Sequence, residues 1–195
     1  MKLLLASNNG GKLREFRSVL ESAGFRIYSL ADAGVAVEVV EDGATFSENA
    51  LKKARTVAAE AAAGGEFDAV IADDSGICAD ALGGAPGVFS ARYSERGDDA
   101  NNEKILREMR DKADRRAHFV CALAICFRDG REEVIEERWD GEIANQSMGS
   151  GGFGYDRVFV PEGFEVTSAQ LSPEVKNKIS HRAKCLQQLI FRLRE

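Results

Sequence analysis

The apolar run Leu3 to Ala6 stops abruptly at Ser7-Asn8-Asn9-Gly10-Gly11, and a different periodicity begins at once. From Lys12 to Ala23 the apolar residues Leu13, Phe16, Val19, Leu20 and Ala23 recur at intervals of three and four, which places them on one face of a helix. A short buried strand, a glycine-rich turn and an amphipathic helix therefore open the chain. That unit buries its strand only when helices cover the sheet, which directs the fold toward α/β architectures.

The rest of the sequence extends the pattern. Thr45 and Glu48 have the spacing of a capping box, and Phe46, Ala50, Ala54, Val57, Ala58 and Ala61 then keep helical period until Gly64-Gly65. Ala69 to Ala72 reads as a second buried strand that gives way to a loop at Asp73-Asp74-Ser75-Gly76, and Ala81 to Ser94 reads as ordered loop. A helix is predicted between Asn101 and Lys112, with Ile105, Leu106 and Met109 inward. Phe119 to Phe127 is the clearest strand, and Asp129-Gly130 turns it into a partner over Glu133 to Trp139. A second Asp-Gly pair, Asp140-Gly141, predicts a further turn before Glu142 to Ala144. Arg157 to Val160 reads as a last strand, and a closing helix starts after Ser180 with Cys185, Leu186, Leu189, Ile190 and Leu193 as its apolar stripe. The order of elements implies an α/β fold with a mixed sheet, in one domain spanning residues 1–195.

Charge and cysteine usage narrow the function classes. A net charge of -6, from 26 Lys+Arg against 32 Asp+Glu, argues against a protein that neutralises the backbone of a nucleic acid polymer, but leaves small phosphorylated ligands open. Cys78, Cys121, Cys126 and Cys185 form no C-x-x-C pair and read as reduced core thiols. With His118 and His181 the only histidines, any metal is expected to be a hard cation held by carboxylates. The N-terminal apolar stretch is too short for a signal peptide and no segment is long enough to span a membrane, so the expected compartment is the cytoplasm.

Four segments carry candidate chemistry. Ser7-Asn8-Asn9-Gly10-Gly11-Lys12 offers helix-terminal N–H groups, glycines that allow close approach and a lysine charge, which suits a phosphate; an ordinary turn with a solvated lysine fits this segment alone equally well. Asp73-Asp74, together with Glu41-Asp42, could hold a magnesium ion, which takes one or two carboxylates plus waters and phosphate oxygens, although paired Asp residues also serve as solvated turn formers. Gly149-x-Gly151-x-x-Gly154 matches a dinucleotide fingerprint by letter, but a strand rather than a helix follows it, so a Rossmann site is rejected. What remains is a glycine segment presenting Phe153, Tyr155 and Asp156, suited to stacking on a base and accepting from its N–H edge, or else core aromatics beside a turn. Lys176 with Ser180-His181-Arg182 could donate to a carbonyl oxygen or a phosphate, with a cap or packed polar residue as the alternative for His181.

Taken together these segments resemble a known family. Ser7 to Lys12 with Glu15, Thr45-Phe46-x-Glu48-Asn49-Ala50, Ala72-Asp73-Asp74-Ser75-Gly76, Gly83-Gly84-Ala85-Pro86-Gly87 through Ser90-Ala91-Arg92-Tyr93-Ser94, Gly151-Gly152-Phe153-Gly154-Tyr155-Asp156 and Ser180-His181-Arg182 occur in the order found in the Ham1-like inosine/xanthosine triphosphate pyrophosphatases. The resemblance runs from about Leu3 to Ile190. It implies an elongated mixed sheet with flanking helices, two lobes and a central nucleotide cleft. It also implies a homodimer that hydrolyses ITP, dITP and XTP to the monophosphate and pyrophosphate with Mg2+, with no nucleic acid polymer or membrane as partner. By position, Asp74 corresponds to the proton acceptor and a metal ligand, with Glu41 and Asp73 as further metal residues and Ser75 as a substrate contact. Ser7, Asn8, Asn9, Gly10, Gly11 and Lys12, assisted by Lys53 and Lys176, correspond to phosphate contacts. Phe153, Gly154, Tyr155, Asp156, His181 and Arg182 correspond to base contacts, with His181 and Arg182 donating to the purine 6-oxo group. Two departures stand out: Val40 replaces an acid before Glu41, and Arg157 replaces the usual proline after Asp156. A Maf-like pyrophosphatase of modified pyrimidine nucleotides and a nucleotide-binding regulator without catalysis are the competing readings.

Overall fold

In the computed structural model, which describes residues 1–61 and 67–194, the opening unit forms as its sequence predicts. Strand β1 (Lys2–Leu5) has Leu3, Leu4 and Leu5 fully buried, as a strand covered on both faces requires. Helix α1 (Gly10–Leu20) follows, capped by the Asn9 side chain, which accepts from the Lys12 backbone N–H, and it turns Phe16 and Leu20 into the core. The remaining elements are β2 (Arg26–Ser29), α2 (Phe46–Ala61), β3 (Ala69–Ala79), α3 (Asp98–Glu108), β4 (Arg116–Phe127), β5 (Glu132–Ile143), β6 (Phe159–Pro161), α4 (Pro173–Ile179) and α5 (His181–Arg192). Short 3-10 turns at Asp80–Leu82 and Gly87–Arg92 punctuate the stretch from Ala81 to Ser94 that the sequence marks as ordered loop.

The strands form one six-stranded sheet in the order β2-β1-β3-β4-β5-β6. β1 runs parallel to β2 and β3, whereas β5 runs antiparallel to β6, so the sheet is mixed and the fold α/β, as expected. The residues gather into two compact units, each assembled from separate stretches of chain. The first unit comprises Met1–Asp74, Cys121–Glu137 and Arg182–Glu195, and its core joins Leu3, Leu5, Phe16, Ile71, Leu123 and Leu186. The second comprises Ser75–Val120 and Arg138–His181, and its core joins Ile77, Ile105, Phe119, Trp139, Val158 and Phe159. All four cysteines are free thiols, three of them buried, and among the described residues no helix is long and apolar enough to cross a membrane.

The capping box at α2 forms with one change. The Glu48 N–H donates to the Thr45 hydroxyl at 3.1 Å, while the Glu48 carboxylate accepts from the Ala44 N–H at 2.7 Å, one residue upstream of the expected partner. The Gly64-Gly65 terminus predicted for this helix lies outside the described residues.

Several elements differ from expectation. Asp73-Asp74-Ser75-Gly76 does not end a strand but lies inside the eleven-residue β3, because tertiary partners for the two carboxylates override the weak strand propensity of these residues. Two short elements, β2 and α4, have too few residues to display a period and are not legible in advance. The region around Arg157 forms a 3-10 turn at Asp156–Val158, so the last strand starts two residues late, at Phe159.

Asp140-Gly141 makes no turn; β5 passes straight through it. The reason is steric: a Cβ on Gly141 would stand 2.3 Å from the Val160 carbonyl oxygen and 2.7 Å from the Phe159 ring, so the glycine serves the close approach of β6. Gly141→Ala is therefore expected to destabilise the protein by about 1–3 kcal/mol, as overpacking does. Urea unfolding should show this as a lower midpoint at unchanged slope.

Candidate active site

Successive residues of a strand point to opposite faces, so the two adjacent carboxylates of β3 reach different surroundings. Asp73 is 1 % exposed. Its Oδ2 accepts from Arg182 Nε at 3.1 Å and Nη2 at 2.9 Å, and Lys12 Nζ lies 3.0 Å from Oδ1. Glu15, from α1, holds the remaining side of the Arg182 guanidinium. Burial alone would push the Asp73 carboxyl up, but Lys12 and Arg182 outweigh it and hold the group well below the usual carboxylate range. Arg182 stays firmly protonated through the same contacts.

Asp74 meets α2 instead. Asn49 and Lys53, four residues apart on that helix, present their side chains together: Asn49 Nδ2 donates to Asp74 Oδ2 at 3.0 Å, and Lys53 Nζ stands 3.5 Å from Oδ1. The same ammonium donates to Glu41 at 2.7 Å. Desolvation raises the Asp74 carboxyl above its ordinary value, opposed by Lys53 and reinforced by Glu41. Lys53 is raised despite its burial, because Asp74, Asp73 and Glu41 surround it with negative charge. Ser75, half-buried, follows in the strand.

Glu41 and Asp74 already share one cation, the Lys53 ammonium, and two hard oxygen donors facing one positive charge are the donor set magnesium takes. Among the described residues no group of three or more metal-ligating side chains gathers. Magnesium completes its shell with waters and phosphate oxygens, so the pair of carboxylates fits it. Asp73 differs from the expectation that it joins them: its carboxylate belongs to the buried pairs with Lys12 and Arg182. Asp42, exposed, pairs with Lys52.

Of the residues expected to meet phosphate, Asn8, Asn9 and Gly10 are exposed and Ser7, Gly11 and Lys12 half-buried at the entry to α1, where the Ser7 hydroxyl accepts from the Asn9 N–H and the Asn9 side chain caps the helix. The Lys12 ammonium keeps donor capacity beyond Asp73, since lysine carries three N–H groups.

The second unit gathers the other predicted residues. Asp156 is 2 % exposed and accepts from the Phe153 N–H at 2.9 Å, the Ser168 hydroxyl at 2.8 Å and Lys176 Nζ at 2.6 Å. Gly152 makes this possible, because a Cβ there would stand 2.0 Å from Asp156 Oδ2. Lys176 also lies over the Phe153 ring, 4.9 Å from its centroid, and so groups with the aromatic segment. The Gly154 N–H is held by Asp98 and its carbonyl by Asn102, both from the first turns of α3. Arg157 pairs with Asp99 and donates to the Gly149 carbonyl, so the departure from proline braces the glycine segment. His181 stacks on Phe119 with centroids 4.6 Å apart and planes 4° from parallel.

Two expected base contacts have other duties. Tyr155 is buried and donates its hydroxyl to the Ser90 carbonyl, so its ring belongs to the core. The Arg182 guanidinium is enclosed by Asp73 and Glu15, with its side chain 3 % exposed, because a buried carboxylate requires that charge. Glu15 and Asn49 lie within the motifs, but the sequence alone assigns them no role. The available signal was a polar Asn49 on the inward face of α2 beside Phe46 and Ala50.

The chain belongs to the Ham1 family, whose model matches residues 3–192. It is 46% identical over 192 residues to the dITP/XTP pyrophosphatase of Bacillus licheniformis, covering 96% of this chain and 95% of that protein. Among solved structures, the Ham1 protein of Staphylococcus aureus matches with a TM-score of 0.85 at 37% identity, over 100% of this chain and 98% of that one. The Ham1 protein of Coxiella burnetii matches with a TM-score of 0.86 at 36% identity, over 99% and 98%.

The Asp73 pairing predicts that Arg182→Met costs about 3–5 kcal/mol, the penalty for leaving a buried charge without its partner. Chemical denaturation measures it. An arginine serving only to bind a base would leave stability unchanged and alter substrate affinity alone.

Proposed function

We propose that the chain is a nucleoside triphosphate pyrophosphatase that hydrolyses dITP, ITP and XTP to the monophosphate and pyrophosphate, and so removes non-standard purines from the nucleotide pool. The observation that carries the reading is the Asp74–Lys53–Glu41 cluster, a carboxylate held on both oxygens beside a second acid and a shared ammonium. The dITP/XTP pyrophosphatases at 44% to 46% identity support the substrate class.

Water attacks the α-phosphorus, and Asp74, in its ionised form, orients that water and takes its proton. Lys53 and the N-terminal amides of α1 at Gly10 and Gly11, with Ser7, Asn8, Asn9 and the remaining donor capacity of Lys12, meet the phosphate oxygens. Glu41 and Asp74 would hold Mg2+, which when bound polarises the phosphoryl group and offsets charge on the departing pyrophosphate. Ser75 contacts substrate beside Asp74. Phe153 stacks on the base, with Gly154 beside it, while Lys176 and His181 offer donors to its 6-oxo group. Adenine carries an amino donor at that place and would leave those donors unpaired. Asp156 acts by fixing Phe153 and Lys176, and Asp73 by fixing Lys12 and Arg182. The reading includes a homodimer and a cytoplasmic setting, where the four thiols stay reduced.

The test is pyrophosphate release from dITP, ITP, XTP, GTP, ATP and dTTP, with and without Mg2+, for the wild type and for Asp74→Asn. Metal-dependent release favouring dITP, ITP and XTP, with turnover about 100-fold or more lower in Asp74→Asn, is the expected result. A preference for dTTP would point to a pyrimidine enzyme of the Maf type. Binding without turnover in the wild type would point to a regulator.

A further inference from the structure

Asn49 is fully buried, and each half of its amide has one well-formed partner on a different part of the chain. Its Nδ2 donates to Asp74 Oδ2 at 3.0 Å, and its Oδ1 accepts from the Gly43 backbone N–H at 2.8 Å. One planar group thus links β3 to the Glu41-bearing segment. A Cβ on Gly43 would stand 2.7 Å from Asn49 Oδ1, 2.9 Å from Glu48 Cβ and 3.2 Å from the Asn49 backbone nitrogen, so no side chain fits at position 43 with Asn49 where it is.

The amide's geometry has a chemical consequence. Lys53 approaches Asp74 from Oδ1, so a carboxylate held by Lys53 alone would remain able to rotate about its Cβ–Cγ bond. Asn49 removes that freedom by fixing Oδ2, and it does so as a neutral donor, which adds no charge to a cluster already holding Lys53, Glu41 and Asp74. The Gly43 bond decides the orientation of the amide: with Oδ1 accepting from a backbone N–H, only the NH2 half can face the carboxylate.

We infer that Asn49 is a positioning residue for the hydrolysis, setting the direction of the Asp74 carboxylate and the distance of the Glu41 segment from it, with Gly43 as the space that admits it. This rests on the proposed role of Asp74. Groups that orient a reacting side chain through hydrogen bonds typically change activity by about 10- to 100-fold when removed.

The experiment compares Asn49→Ala, Gly43→Ala and Asp74→Asn by kcat and KM for dITP with Mg2+, by affinity for the non-hydrolysable α,β-methylene analogue of dITP, and by melting temperature. Hydrogen exchange of the Gly43 amide is measured in the wild type and in Asn49→Ala. For Asn49→Ala the expected result is kcat lowered about 10- to 100-fold, analogue affinity within about twofold of wild type and faster exchange at Gly43. Gly43→Ala should lower kcat in the same way without removing any side-chain group, and it decides the matter if Asn49→Ala does not fold. Wild-type kcat in a folded Asn49→Ala overturns the inference, as does an affinity loss that accounts for the whole fall in kcat/KM. Full turnover by Asp74→Asn overturns the proposed base instead, which separates the two failures.

Discussion

A carboxylate that water cannot reach must be neutralised where it stands, and Asp73 sets this requirement for the first unit. Its charge is balanced by Arg182 from α5 and Lys12 from α1, and Glu15 in turn holds the far side of the guanidinium. Two helices distant in sequence are thereby registered against β3 by charge rather than by apolar packing alone. Removing one partner leaves an ion in the low-dielectric interior, so the group stands or falls as a whole. The start of α1 is held in place by this network.

The neighbouring Asp74 shows the opposite solution. It faces α2, where a neutral amide and one ammonium keep it partly desolvated but not neutralised, and its carboxyl rises instead of falling. Two chemically identical side chains in consecutive positions thus shift in opposite directions because of what surrounds them. The second unit repeats the division: Asp156 is satisfied three times and serves to shape the Phe153 segment, while His181 lies stacked on Phe119.

Much of this was legible in the sequence. Long periodic elements such as α1, α2 and α5 and the strand ending at Phe127 announced themselves because their burial repeats many times over, and Asp129-Gly130 formed its turn. What stayed illegible depended on a single tertiary neighbour. Asp140-Gly141 has the composition of a turn, and only the approach of β6 explains why a strand passes through it. Asp73-Asp74 looks like a strand end until Arg182, more than a hundred residues away, is known to meet it. Motif order named the residues of both clusters, yet it could not say that Arg182 and Tyr155 are enclosed, or that Asn49 and Glu15 complete the contacts.

The placement of the acid pair in mid-strand also bears on how the chain finds its fold. Side chains along a strand alternate, so a slip of β3 by one residue would exchange the two carboxylates, bringing Asp74 to Arg182 and turning Asp73 toward α2. Every apolar neighbour would change face with them, with Ile71 and Ile77 leaving their cores. A misaligned sheet would thus carry mismatched apolar packing on both buried faces and misplaced ions. The acid pair thus widens the energy gap between the correct strand alignment and its nearest competitor.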